Sequence, residues 1–168
     1  MTPREFIVQW IEALRSGNYK QGRMQLVKRD NLEKHWSFCC LGVACDIAEE
    51  AAMLKKMKRS SFSSSELGFF PPEMEKDSSS YSFTSIPFTL SKWLGWNELS
   101  LPFEQIPDDV PGDVKYIETT LMKLNDADEF SFTQIADFIE RWVLPLYDEK
   151  TGEPIRTKTT LRLPIEEV

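Results

Sequence analysis

Phe6, Ile7, Trp10, Ile11 and Leu14 recur at helical spacing, and Arg4, Gln9, Glu12 and Arg15 fall on the opposite side. Thr2, Pro3 and Glu5 form a capping box with proline at the first helical position, and Gly17 follows as a stop. The pattern predicts an amphipathic helix at the N-terminus. From Tyr19 to Phe38 the period changes. Met24, Leu26 and Lys28 alternate with other residues, Asp30 and Asn31 can turn, and His35 to Phe38 reads as a returning strand, so a short hairpin is expected.

The period becomes helical again after Phe38. Cys40, Val43, Ala44, Ile47, Ala51 and Leu54 share a face, with Asp46, Glu49 and Glu50 opposite, and the small residues suit close packing at the centre of the fold. The basic knot Lys55, Lys56, Lys58 and Arg59 is expected to end this helix, where exposed carbonyls favour cations. Residues 60–85 are rich in serine and contain Pro71 and Pro72, which predicts a long surface excursion. Its scattered rings, Phe69 and Phe70 among them, would dock on the body or cover something. A short helix over Pro87 to Leu94 should end at Gly95, and a proline-rich connector should run from Leu101 to Gly112. Val114, Ile117, Leu121 and Leu124 mark a helix stopped by Asn125 and Asp126. Ser131 and Gln134 cap another, with Ile135, Phe138, Ile139 and Trp142 inward and Pro145 as its end.

These elements define a mainly helical α+β fold with a small β-hairpin or sheet. One globular domain is expected over 1–147, with residues 148–168 as an extended tail or edge strand. The predicted core comprises Phe6, Trp10, Leu14, Cys40, Val43, Ile47, Leu94, Leu121, Ile135, Phe138 and Trp142. Apolar residues make up 41% of the 168 positions and aromatics 12%, enough to build such a core. No apolar run reaches the roughly 20 residues of a membrane helix, and no secretory leader pattern opens the chain, so a cytosolic protein is expected.

The net charge of -7 argues against tight non-specific binding to nucleic acid, which depends on neutralising phosphates. The charge is uneven, however. Residues 1–38 hold seven Lys or Arg against four acids, a net +3, and the remainder carries -10. Cations and rings concentrate in the predicted hairpin. Tyr19, Lys20, Arg23, Lys28, Arg29, Lys34 and Trp36 are the candidate ligand-binding residues, a mix that suits a small anion bearing a base or sugar phosphate.

Cys39, Cys40 and Cys45 raise two other chemistries. A cysteine at a helix start can have a lowered thiol pKa, but a cysteine hydrolase needs a base, and the sole histidine, His35, stands just upstream on the facing strand. Buried small hydrophobes are the better account. Three Cys plus His35 lack the paired spacing of a structural zinc site, and the aspartates near 108–128 lack the calcium-loop pattern. No catalytic residue, metal or cofactor is predicted.

Four blocks carry a resemblance: WIEALRSGNYKQG (10–22), FCCLGVACDIA (38–48), FTLSKWLG (88–95) and LNDADEFSFTQIADFIE (124–140). Together they resemble a widespread family of small proteins of bacteriophages and prophages, in which an AL.SG.Y.QG opening precedes CCLGV.CD, a tryptophan-glycine helix, and LND with an F..IAD.IE helix. The Ser-rich stretch 60–85 and the segment after Tyr147 depart from its shorter members. The resemblance implies an accessory phage protein acting in the cytoplasm of an infected bacterial host. It brings no established activity and therefore no catalytic residue. Together with the basic hairpin it points to non-catalytic sequestration of a nucleotide-type immune signal, with binding of a host protein through the surface around Phe69 and Phe70, or a cysteine-dependent hydrolase or transferase, as alternatives. Whether the chain forms a homo-oligomer is left open.

Overall fold

The computed structural model describes residues 1–30, 34–60, 64–73, 82–97, 99, 116–128 and 130–155. Helix α1 (Pro3–Arg15) starts at the expected capping box. Thr2 Oγ1 accepts the Glu5 amide at 3.3 Å and Glu5 accepts the Thr2 amide at 2.7 Å. Phe6, Ile7 and Trp10 on its inner face are fully buried, and Gly17 closes the turn at φ +74.

Five strands follow the order β1-β3-β2-β5-β4, formed by Lys20–Gln21, Trp36–Phe38, Val27–Asp30, Ser64–Phe70 and Lys55–Ser60. The predicted hairpin is present as the antiparallel pair β2–β3, with Val27 opposite Phe38 and Arg29 opposite Trp36. Its turn at 31–33 lies outside the described residues. It is only the middle of a wider sheet. Strand β1 runs parallel to β3, and β5 pairs antiparallel with both β2 and β4.

Two sequence expectations are corrected here. Helix α2 (Cys40–Glu50) ends with Ala51, and Ala52 at φ +57 turns the chain away, so Lys55, Lys56, Lys58 and Arg59 lie on an edge strand rather than at the helix end. Lysines on an edge discourage pairing with a further strand, which is why a strand can carry this composition. The stretch expected to be a surface excursion supplies β5, whose Phe69 and Phe70 are 0% and 2% exposed. They are core residues, which removes the protein-docking surface expected around them.

Helix α2 lies at the centre, buried along nearly its whole length. Its close seat on the sheet depends on Gly42. A Cβ there would sit 1.8 Å from the Leu26 carbonyl oxygen, the same oxygen that accepts the Cys39 amide at 3.0 Å. Helix α3 (Phe88–Trp93) ends near Gly95 at φ +74, as expected. Helix α4 (Ile117–Asp126) buries Ile117, Leu121 and Leu124. Val114 and the connector 101–112 are outside the described residues. Helix α5 (Phe132–Phe138) has its Ser131–Gln134 capping box and continues through a wide turn over 139–143 into a 3-10 turn around Pro145. All of the predicted core is buried except Trp142, which is half-buried beneath the Arg141 guanidinium. Beyond it, Tyr147 bridges to Pro154, and its hydroxyl donates to the Leu94 carbonyl at 2.9 Å while accepting from Trp96 Nε1 at 3.0 Å. The expected tail beyond 155 lies outside the described residues.

Candidate functional site

Alternation along a strand sends neighbouring side chains to opposite faces, and this divides the predicted ligand-binding residues. Lys20, Ser37, Lys28, Glu66 and Arg59 occupy one register row that crosses all five strands. This row faces away from α2. Its one carboxylate is already engaged: Glu66 accepts from Arg59 Nε at 3.0 Å, from a second Arg59 nitrogen, and from the Gln25 amide. Phe83 covers the same face at Gly68, where a Cβ would meet its ring at 2.8 Å, and Arg59 stacks on that ring at 4.1 Å.

Arg29 and Trp36 are directly opposite each other on the other face, the one that α2 covers through Lys56, which pairs with Glu49 at 2.8 Å and Asp46 at 3.6 Å. The Arg29 guanidinium lies 5.8 Å from the Trp36 ring centroid, and buried Ser65 is its neighbour across β5. Among the described residues, Arg29 Nε, like Arg4 Nε, is buried and meets no hydrogen-bond acceptor. That is an unusual state for a guanidinium N–H, because a buried donor without a partner forfeits its desolvation energy.

The remaining predicted residues are dispersed. Tyr19 is half-buried, its ring edge-on to Phe38 at 4.9 Å and its hydroxyl donating to Asp46 at 3.2 Å. Burial, with the adjacent Asp46 charge, pushes its phenol up to about 12. Arg23 is exposed between β1 and β2, and Lys34 is exposed at φ +59. The structure thus keeps Arg29 with Trp36 and Lys20 with Lys28, and separates the two pairs.

The cysteines are interior residues. Cys39 caps α2, its sulfur accepting the Gly42 amide at 3.3 Å, and Cys40 Sγ donates to the Leu121 carbonyl at 3.4 Å. Burial raises the Cys39 thiol to about 12 and holds Cys40 and Cys45 well above the ordinary value, overriding the helix start that could have lowered them. His35 is exposed. Among the described residues no three His, Cys, Asp or Glu side chains group as metal ligands, and no helix is long and apolar enough to cross a membrane.

Three of the four sequence blocks, 10–22, 38–48 and 124–140, meet in a buried polar knot. Asn125, fully buried, accepts from the Cys40 amide and from Gln21 Nε2, each at 3.2 Å, and donates to the Gly22 carbonyl at 3.0 Å and to Asp126 at 2.6 Å. Gln21 then donates to the Phe130 carbonyl at 2.7 Å and accepts the Phe132 amide at 3.1 Å. Trp10 Nε1 donates to the Cys40 carbonyl at 2.9 Å. These side chains therefore tie β1, α2, α4 and α5 together, which gives them a structural role.

One further feature had no sequence signal. Glu118, in the first turn of α4, is drawn inward by Ile86, whose amide donates to its Oε1 at 3.0 Å. It forms a wall shared, with Ser91 and Asn97, by two cavities of about 610 and 270 Å³. Burial raises its pKa, opposed by the Ile86 hydrogen bond.

The chain matches the DUF8296 family, described as a domain of unknown function, over residues 4–143. It belongs to that family. No match was found among curated proteins or among solved structures.

Proposed function

We propose that this protein is a non-catalytic binding protein for a small anionic ligand of nucleotide type. The observation that carries this reading is the Arg29–Trp36 pair: a guanidinium with an unsatisfied N–H beside an indole face. A phosphate oxygen would satisfy the N–H with a charge-assisted bond, and a base could stack on the ring. Lys34, two residues before Trp36, adds positive charge nearby. Lys20 and Lys28 line the reverse face of the same thin sheet and contribute long-range attraction. Burial of all three thiols speaks against the cysteine-dependent hydrolase or transferase.

The resemblance to phage and prophage proteins supports a cellular role for such binding: sequestration of a host immune nucleotide in the cytoplasm of an infected bacterium, as a counter-defence sponge. The test is incubation of the purified protein with a panel of cyclic and linear nucleotides, followed by heat release and mass analysis. Recovery of an intact nucleotide, lost in Arg29→Ala, is the expected outcome. A chemically altered nucleotide would instead indicate an enzyme. No nucleotide retained by the wild type would refute the reading.

A further inference from the structure

The Glu118 cavities lie away from the Arg29–Trp36 pair and have the opposite electrostatic character. The larger is lined by the apolar Pro71, Ile86 and Phe88 and by the polar Ser82, Ser85 and Glu118. Among the described residues no Lys, Arg or His pairs with the Glu118 carboxylate. Two rings flank it, one in each cavity lining, and both are open to solvent: Phe88 is 68% exposed and Tyr116 is 61% exposed. Large rings left this exposed on either side of a half-buried, uncompensated carboxylate call for a ligand that satisfies both.

We propose that this groove binds an aliphatic organic ammonium ion, with the charged head on Glu118 and the alkyl stem along Phe88 and Ile86. The charge requirement follows from the carboxylate and from the ring faces, which attract cations. The preference for ammonium over guanidinium follows from Glu118 itself. Its Oε1 already accepts the Ile86 amide, so the second oxygen is the less occupied of the two; a compact ammonium can pair with that oxygen alone, whereas a planar guanidinium fork is strongest when it shares both. A bare metal ion would find a single carboxylate there, too few ligands for a hard divalent cation. The overall charge of -7 raises the local concentration of organic cations.

The test is titration of the full chain with 1,4-diaminobutane, followed by calorimetry and by amide chemical shifts, against 1,4-butanediol as the uncharged isostere. Saturable binding of the diamine with shifts around Phe88 and Glu118, and none of the diol, is expected. Glu118→Gln keeps an acceptor for the Ile86 amide and so keeps the fold, but removes the charge, and should weaken the diamine roughly tenfold or more. Butylamine should bind tighter than butylguanidine. Arg29→Ala should leave the diamine affinity unchanged, which separates this site from the anion site. Equal binding of diamine and diol, an unchanged affinity in Glu118→Gln, or loss of all binding to sodium chloride of matched ionic strength would overturn the proposal.

Discussion

Asn125 and Cys40 stand 85 positions apart, and the Asn125 side-chain oxygen accepts the Cys40 backbone amide at 3.2 Å inside the core. The Cys40 amide belongs to the first turn of α2, where no backbone acceptor within the helix is available. Asn125 thus supplies from α4 what a local cap cannot.

Removing that side chain strands several groups at once. Asn125→Ala leaves the Cys40 amide and the Gly22 carbonyl without their partner and Gln21 without one of its acceptors, and should lower stability by about 3 kcal/mol. Asn125→Asp fails differently: it keeps the acceptor oxygen, loses the donor to Gly22, and sets a second carboxylate beside Asp126. Urea denaturation of both variants checks this. Wild-type midpoints would show that the knot is dispensable.

Gly42→Ala should be worse than a typical core substitution. The added carbon would lie 1.8 Å from the backbone oxygen of Leu26, just before β2, which cannot swing aside as a side-chain tip could. We expect a loss of at least about 3 kcal/mol, at the upper end of overpacking costs, because α2 must lift off the sheet. Thermal unfolding is the measurement, and a shift of only a degree or two would mean the sheet accommodates the methyl.

The thiols give a pH signature. Cys39 is raised from 9.0 to about 12 by burial, so the native state holds its proton more tightly than the unfolded chain does. Stability from this group is complete below pH about 9 and is lost as pH climbs toward 12. Tyr19, raised from 10.0, acts in the same direction. Denaturant midpoints should fall over this alkaline range, less steeply in Cys39→Ala. Near neutral pH a thiol-directed reagent should modify the three cysteines only as fast as the protein opens. Fast labelling of folded protein would contradict their burial.

Arg29 and Lys28 are adjacent in sequence but project from opposite faces, and ligand binding should distinguish them. Arg29→Ala should abolish most nucleotide retention, whereas Lys28→Ala should reduce it modestly and only at low salt, as expected of a screened long-range charge. Filter retention at two ionic strengths would separate the cases. Equal losses from both would place the ligand elsewhere on the sheet.

How far the sequence revealed this molecule depended on whether a signal was local. The α1 and α5 starts were legible because Thr2 with Glu5 and Ser131 with Gln134 carry their own hydrogen-bonding logic within four residues. Strands β4 and β5 were not, since Lys55–Ser60 and the serines near 64 have poor strand propensity and are held by their pairing, β5 with residues 27–30 and β4 with β5. The basic aromatic hairpin was legible as a composition, but the strand places Lys28 and Arg29 on opposite faces, so the two cannot both touch one ligand. Glu118 was invisible. Its position on α4 reads as solvent-facing, and only the distant Ile86 segment brings it into a cavity.

The Asn125 knot also sets a schedule for folding on the ribosome. Gln21 and Gly22 emerge about a hundred residues before the side chains and carbonyls that complete them. Until residues 125–132 leave the exit tunnel, β1 has no closing partner on that side and the first turn of α2 lacks its acceptor, so the early half of the chain cannot complete its polar core before most of the chain has been made.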